Sequence, residues 1–432
     1  MKKLTVIILL FAIFLGTSTA YISAEVNSGK DKISFEETVL FGDKIYANGV
    51  TFTMETNYAR KLNWKTDYTI GFTPECNTEY RFSAEGIPDY DRTNSGIDIL
   101  SDVSHLDFIQ DKYREAVNTA KKENKSVTYK IKLKDHIDYF PITVDVDLPN
   151  VVLTEENRQR LNKKVNEFFK IPVPNDCEVT ISADSGGETS SVWRDCEEID
   201  FYLHGMLYTQ DTVFLSSFND DDNRIYSINY GENEVYEDTL KIAYEPEEIF
   251  EINEVDITDK TLVLLGIDKR HRQTLLRVLD LKTMECIQNM QVSEKISDSI
   301  SRTVFIKDDF LGIEMYDYHS KANENDDEAM IHFYNLLPDG TYKYSITVYK
   351  KYKNYLKSDY LSAVDFDGQR AAFAEIIHPN IAGGDAYFDI NVSVYDKDGL
   401  VYIGEYKCSL SKHDKQDYLF SNYSSYLDIN IG

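Results

Sequence analysis

Ile225-Tyr-Ser-Ile-Asn-Tyr230, Leu276-Arg-Val-Leu-Asp-Leu281, Ile331-His-Phe-Tyr-Asn-Leu336 and Val392-Ser-Val-Tyr-Asp-Lys397 share one pattern. Each has an apolar residue at its first and fourth positions and Asn or Asp at its fifth. The fourth residues, Ile228, Leu279, Tyr334 and Tyr395, stand 51, 55 and 61 residues apart. Two alternating apolar stretches precede each hexapeptide. The turns that join these stretches rhyme as well: Thr258-Asp259-Lys260, Lys307-Asp308-Asp309 and Asp367-Gly368. A further alternating stretch follows each hexapeptide. Alternation with period two puts apolar side chains on one face of a strand. The C-terminal half therefore reads as four loose repeats of four short strands each, and the fold class as mainly β.

Repeats of about 40–50 residues with four strands each are the pattern of blades. The chain resembles the β-propeller superfamily in this pattern, over residues 200–432 and more loosely over 35–200. It has no WD dipeptide and no kelch Gly-Gly pattern. The resemblance implies a β-propeller of about six or seven four-stranded blades and says nothing of activity. Two helices interrupt the N-terminal half. Asp107–Glu123 places Leu106, Ile109, Tyr113, Val117 and Ala120 on one face, and a second helix begins after Thr154. Thr154 is suited to cap that helix, and Glu155 and Glu156 suit its N-terminal dipole. Both helices are expected as insertions within about 97–195 of a propeller-like domain spanning 25–432, the alternative being a separate α+β domain. The last alternating segment, Tyr426–Ile431, is expected to close the fold by pairing with Thr38–Ala47, which would remove exposed edges.

Working outward to the N-terminus, Lys2 and Lys3 precede the apolar run Leu4–Gly16 and the small residues Ser18-Thr19-Ala20 and Ile22-Ser23-Ala24. These are the basic, apolar and cleavage regions of a secretory signal peptide, assigned to residues 1–24. The run is short for a membrane span, so no stable span is expected after cleavage. The expected location is secreted or cell-surface, the alternative being an anchor left by an uncleaved segment. The chain carries a net charge of −28, and removing two lysines leaves −30. So acidic a surface repels phosphate backbones, and nucleic acid is not an expected partner.

Five cysteines are present, an odd number. Cys177 and Cys196 are the close pair and the disulfide candidate, which would close a loop of about 20 residues. No C-x-x-C, H-E-x-x-H, G-x-S-x-G or phosphate-binding glycine motif occurs. No cofactor is expected apart from a weak calcium reading at Asp220, Asp221 and Asp222, whose oxygens are also what an exposed hairpin turn uses. Asp91-Arg-Thr-Asn-Ser-Gly96 departs from the calcium-loop pattern at Thr93 and Asp98. Ser182-Ala-Asp184-Ser-Gly186 resembles half of the Asp-box of sialidase-type propellers, which is a structural turn.

One stretch is locally basic: Tyr342–Tyr360 interleaves lysines with tyrosines. Tyr349, Lys351, Lys353 and Tyr355 are the candidate binding residues, because tyrosine faces stack on sugars and lysines attract acidic polymers. The other reading is an outer strand with tyrosines packed on one face and lysines discouraging edge pairing. The expected function is non-enzymatic recognition of a protein or glycan at the cell surface. The alternatives are a carbohydrate-active propeller enzyme (a hydrolase or lyase) and a structural component of an envelope complex.

Overall fold

The computed structural model describes residues 14, 16–17, 33–58, 62–82, 96–148, 151–185, 190–195, 202–217, 222–293, 300–307, 309–317, 327–352, 362–377, 389–409 and 425–432. These fall into two compact units, Met1–Arg92 with Ile296–Gly432 and Thr93–Lys295. Residues 1–24, expected from sequence to be a signal peptide, lie almost wholly outside the described residues. No helix among the described residues is long and apolar enough to cross a membrane.

Among the described residues the first unit contains three antiparallel sheets. Strands β2 (Val50–Tyr58), β3 (Leu62–Thr69) and β4 (Glu75–Phe82) form one with β26 (Ser425–Ile431), in the order β26-β2-β3-β4. Strands β18 (Ile300–Lys307), β19 (Phe310–Asp317), β20 (Asp327–Leu336) and β21 (Tyr342–Tyr352) form the second in sequence order. The third runs β22 (Ser362–Phe366), β23 (Ala371–Ile377), β24 (Asp389–Asp396), β25 (Gly399–Cys408), and β1 (Phe35–Gly42) joins it outside β25.

Both chain ends thus enter sheets made mostly by the opposite end, but not with the expected partners. The C-terminal strand pairs with β2, matching Leu427 to Met54 and Ile429 to Phe52. The Thr38–Ala47 segment expected there is split instead. Its first part belongs to β1, which pairs with β25. Its second part is a 3-10 turn, Lys44–Ala47, capped by Asp43, whose Oδ1 accepts the Ile45 N–H at 3.0 Å. Gly42 at φ +75° breaks the strand, and a Cβ there would sit 1.8 Å from the Val401 carbonyl oxygen. No L residue with a side chain fits that approach without a backbone shift.

Phe35, Phe52, Tyr68 and Tyr406 bind the first and third sheets into one core. Phe52 stacks on Tyr68 at 5.2 Å, and Tyr406 meets both edge-on. A polar thread runs through this core. The Tyr402 hydroxyl donates to Glu37 Oε1 at 2.9 Å and lies 2.6 Å from the Tyr406 hydroxyl, while Lys44 pairs with the other Glu37 oxygen. A buried hydroxyl without a partner costs about 1–3 kcal/mol, so the thread keeps two buried tyrosines compatible with an apolar core.

In the second unit, β10 (Tyr202–Tyr208), β11 (Thr212–Ser217), β12 (Ile225–Gly231) and β13 (Glu234–Tyr244) form a sheet in sequence order. Two further strands, β5 (Gly96–Ser101) and β7 (Ile142–Asp147), extend it beyond β10. Strands β14 (Phe250–Ile257), β15 (Thr261–Asp268), β16 (Gln273–Asp280) and β17 (Cys286–Ser293) form another. A smaller sheet, β6 (Val127–Lys132), β8 (Glu178–Ala183) and β9 (Ser190–Asp195), packs against helix α1 (Asp107–Glu123). Helix α2 (Glu155–Phe169) is capped by Thr154, which accepts the Asn157 N–H at 3.2 Å. It covers the edge of β7: Asn162 and Asn166 accept the Val144 and Ile142 N–H groups at 3.0 and 2.9 Å. Side-chain amides thus stand in for a missing neighbour strand and satisfy an edge that would otherwise invite pairing.

The four hexapeptides of the sequence pattern are the third strands of four sheets. Ile228, Leu279, Tyr334 and Tyr395 are all buried, and each lies opposite a fully buried second-strand residue: Val213, Leu262, Leu311 and Ala371. The pairing of third with fourth strand slips at the same place each time, at or beside these four residues. A bulge inserts an extra residue and increases local twist, so the repeat extends to the shape of each sheet. The fold is mainly β, and five sheets among the described residues contain four antiparallel neighbours in blade fashion.

Candidate functional site

The basic, tyrosine-rich stretch forms β21, the outer strand of its sheet. Register with β20 pairs Tyr344 with Tyr334, Thr347 with His332 and Tyr349 with Met330. Because the bulge falls between Tyr344 and Ile346, Tyr344 shares a face with Thr347 and Tyr349, while Ile346, Val348 and Lys350 turn into the core. Tyr349 is 58% exposed and Tyr344 53%, whereas Tyr342 is buried. A chain of hydrogen bonds fixes Tyr344: its hydroxyl lies 3.0 Å from the Thr347 hydroxyl, which lies 2.7 Å from His332 Nδ1. Burial holds His332 below its ordinary pKa, so the ring stays neutral near neutral pH. The Tyr344 ring also packs edge-on against buried Tyr334 at 5.8 Å. The result is one face of β21 with two exposed tyrosines, of which Tyr344 is held in place.

Of the four expected binding residues, Tyr349 is therefore at the surface. Lys351 is placed in β21 by its backbone, and Lys353 and Tyr355 lie outside the described residues. Lys350, one position away, has a different part: it is buried, pairs with Glu375 and sits 4.5 Å over the Phe373 ring. His332 and Thr347 were not singled out from sequence, because only the cross-strand register brings them to Tyr344.

Asp222 is already engaged. Its Oδ2 accepts the Tyr226 hydroxyl at 2.8 Å and its Oδ1 lies 3.5 Å from Arg224. Asp220 and Asp221 lie outside the described residues, among which no group of three or more His, Cys, Asp or Glu is arranged to hold a metal. Cys177 is buried and disulfide-bonded. Cys76 and Cys286 are free thiols, and Cys196 lies outside the described residues.

A second cluster lies where β18, β22 and β26 meet. Lys307 Nζ donates to Asp428 Oδ1 and to the Ile429 carbonyl, both at 2.8 Å, and lies 3.9 Å from Asp365. Asp365 accepts the Ile431 N–H at 2.7 Å. Lysine and two carboxylates at converging strands would suit chemistry, but here they hold one another and the backbone of the C-terminal strand. They act as a latch.

No protein-family profile and no curated protein sequence matches the chain. Among solved structures it is similar to the β-propeller domain of the Trilobed protease from Pyrococcus furiosus, with 11% identity, 52% of this chain covered and a TM-score of 0.25. The match spans 62% of that domain's own length. It is also similar to the WD40 domain of SCAP from fission yeast, with 8% identity, 87% and 88% of the two chains covered and a TM-score of 0.29. A protein from Lactobacillus plantarum matches with 9% identity, 88% and 100% coverage and a TM-score of 0.30. Likeness this distant transfers no activity, substrate or partner. The resemblance to propellers in blade pattern, read from the four hexapeptides, is carried by the sheets themselves.

Proposed function

We propose that the chain is a non-enzymatic recognition protein that binds a glycan along the Tyr344–Tyr349 strip. The observation that supports this most directly is the exposure of two large aromatic side chains on one face of β21, 53% and 58%, where packing would have buried them. Rigid tyrosines contribute contact area at little conformational cost, and Tyr344 is held in place before any ligand arrives. Their flat faces suit the apolar faces of sugar rings, and their hydroxyls suit the sugar hydroxyls. The reading of residues 1–24 as a signal peptide, which would put the chain outside the cytoplasm, favours a glycan as the partner class. N-terminal sequencing of secreted material should find Tyr21 or Glu25 first; a membrane-bound product with Met1 intact would mean an uncleaved anchor.

The binding test uses affinity electrophoresis through gels containing a neutral β-glucan or a polyuronate. The wild-type chain should be retarded by at least one of them. Replacing Tyr344 and Tyr349 together with Ala should weaken retention more than about 100-fold, since buried aromatic anchors cost 2 kcal/mol or more each when truncated. The melting temperature should fall by only a few degrees, because Tyr344 gives up one edge-on ring contact and one hydrogen bond, together about 1–2 kcal/mol, while Tyr349 is exposed. Replacing both with Phe should weaken retention less than the Ala pair does, since the ring faces remain while the hydroxyls and the Thr347 link to Tyr344 are lost. No retention of the parent protein, or retention unchanged in the Ala variant, would overturn the assignment.

A further inference from the structure

We propose that a second site, a cleft at the hairpin ends of the Thr93–Lys295 unit, binds an organic cation bearing primary ammonium groups. The cleft has a volume of about 580 Å³, within the range of small-ligand sites. Three turns wall it: those joining β10 to β11, β12 to β13, and β14 to β15. The side chains that decide its chemistry are Tyr208, Tyr230, Glu232 and Asp259, and no Lys or Arg lines it. Aromatic faces and carboxylates without a counter-cation together select a positive, partly apolar ligand.

Asp259 is free for this because another group holds its turn. Elsewhere in the chain an aspartate at a turn accepts its own backbone. Asp280 Oδ1 accepts the Lys282 and Thr283 N–H groups at 2.9 Å, and Asp367 Oδ1 accepts those of Gln369 and Arg370 at 2.9 and 2.7 Å. At the β14–β15 turn the Thr258 hydroxyl takes that role, accepting the Lys260 and Thr261 N–H groups at 3.2 and 2.9 Å. Asp259 is left out of the turn's hydrogen bonding. Neither it nor Glu232 has a hydrogen bond or ion pair among the described residues. Asp211, beside the cleft, is by contrast engaged by the Thr209 and Thr212 hydroxyls at 3.1 and 3.0 Å. Tyr230 is fixed at the cleft wall, its hydroxyl donating to the Thr209 carbonyl at 2.6 Å. Burial, then the neighbouring Tyr208 and Asp211, raises its pKa, so the ring stays neutral and its face available to a cation.

Isothermal titration of the full chain with spermidine at about 0.15 M salt, where long-range attraction is screened, tests this. A trilysine peptide serves as the second arm, since the ammonium groups could come from a free polyamine or from lysine side chains. Saturable binding of either is expected, with the tighter arm identifying the source. Asp259→Asn, Glu232→Gln and Tyr208→Ala should each weaken it by about fivefold or more. Glu248→Gln removes one exposed carboxylate outside the cleft and should leave affinity unchanged. All five proteins should share one far-UV circular dichroism spectrum, since the altered side chains are at the surface. Equal weakening by Glu248→Gln would show attraction to the net charge alone. That result, displacement by equimolar Mg²⁺, or no binding in either arm would overturn the site.

Discussion

Replacing Lys307 with Met lowers the melting temperature by roughly 5–10 °C. The lysine stands among Asp428, Asp365 and the Ile429 carbonyl, and Met leaves those acceptors without their cation. Removing one member of a fully buried ion pair costs about 3–5 kcal/mol. Here the side chains retain 26%, 10% and 35% exposure, so screening by water reduces the figure to about 2–3 kcal/mol. Each kcal/mol shifts the midpoint of a unit this size by about 2–4 °C. Adding Asp428→Asn to the variant should recover part of the loss, because one uncompensated charge goes. Differential scanning calorimetry of the three proteins gives the answer; a shift below 2 °C for Lys307→Met would remove the latch from the account.

Raising the pH above 10 destabilises the protein well before backbone chemistry intervenes. Burial, then Glu37 and Cys76, pushes the Tyr68 hydroxyl up to about 12. Burial, then Tyr344, pushes Tyr334 up to about 12. Tyr402 and Tyr406 are raised in the same direction, with burial the largest cause for each. An unfolded tyrosine loses its proton near about 10. Between those values the folded state binds more protons than the unfolded one, so stability falls as pH rises. The contribution is fully present below about pH 10 and is lost as pH climbs through about 12, on the order of 2 kcal/mol for each of Tyr68 and Tyr334. Urea midpoints followed by near-UV circular dichroism should be level up to about pH 8.5, decline from there as the Cys76 thiol, pushed up to about 11 chiefly by burial, adds its share, and drop steeply by about 11.5; a midpoint unchanged at about 11.5 would contradict the burial described.

What the sequence showed plainly was what repeats along it. Ile228, Leu279, Tyr334 and Tyr395 could be aligned because each strand position sees the same surroundings four times. The helix at Asp107–Glu123 was legible from its apolar spacing and the Thr154 cap from local chemistry, since both involve partners within one or two turns. The ends of the chain were legible in kind but not in partner. Both termini complete sheets, yet β26 took β2 where Thr38–Ala47 was expected, because Gly42 and Asp43 divide that segment. The tyrosine strip was visible as composition. Which of its residues face out depended on a bulge at Ser345 and on pairing with β20, neither of which is written in the neighbouring residues. For the same reason Lys350 and Lys351 look alike in sequence, although Lys350 is part of the core. Lys307 drew attention only as a turn residue, since its partners lie 58 and 121 positions away.

The pairing of β26 with β2 also has a consequence in time. Strand β4 ends at Phe82 and β26 begins at Ser425. At a synthesis rate of about 5–20 residues per second, roughly 20–70 s separate the two on the ribosome. Throughout that interval β2 presents an open hydrogen-bonding edge flanked by Phe52 and Met54, side chains that end up fully buried. Until β26 has been made, the β2 side of this sheet lacks its pairing strand.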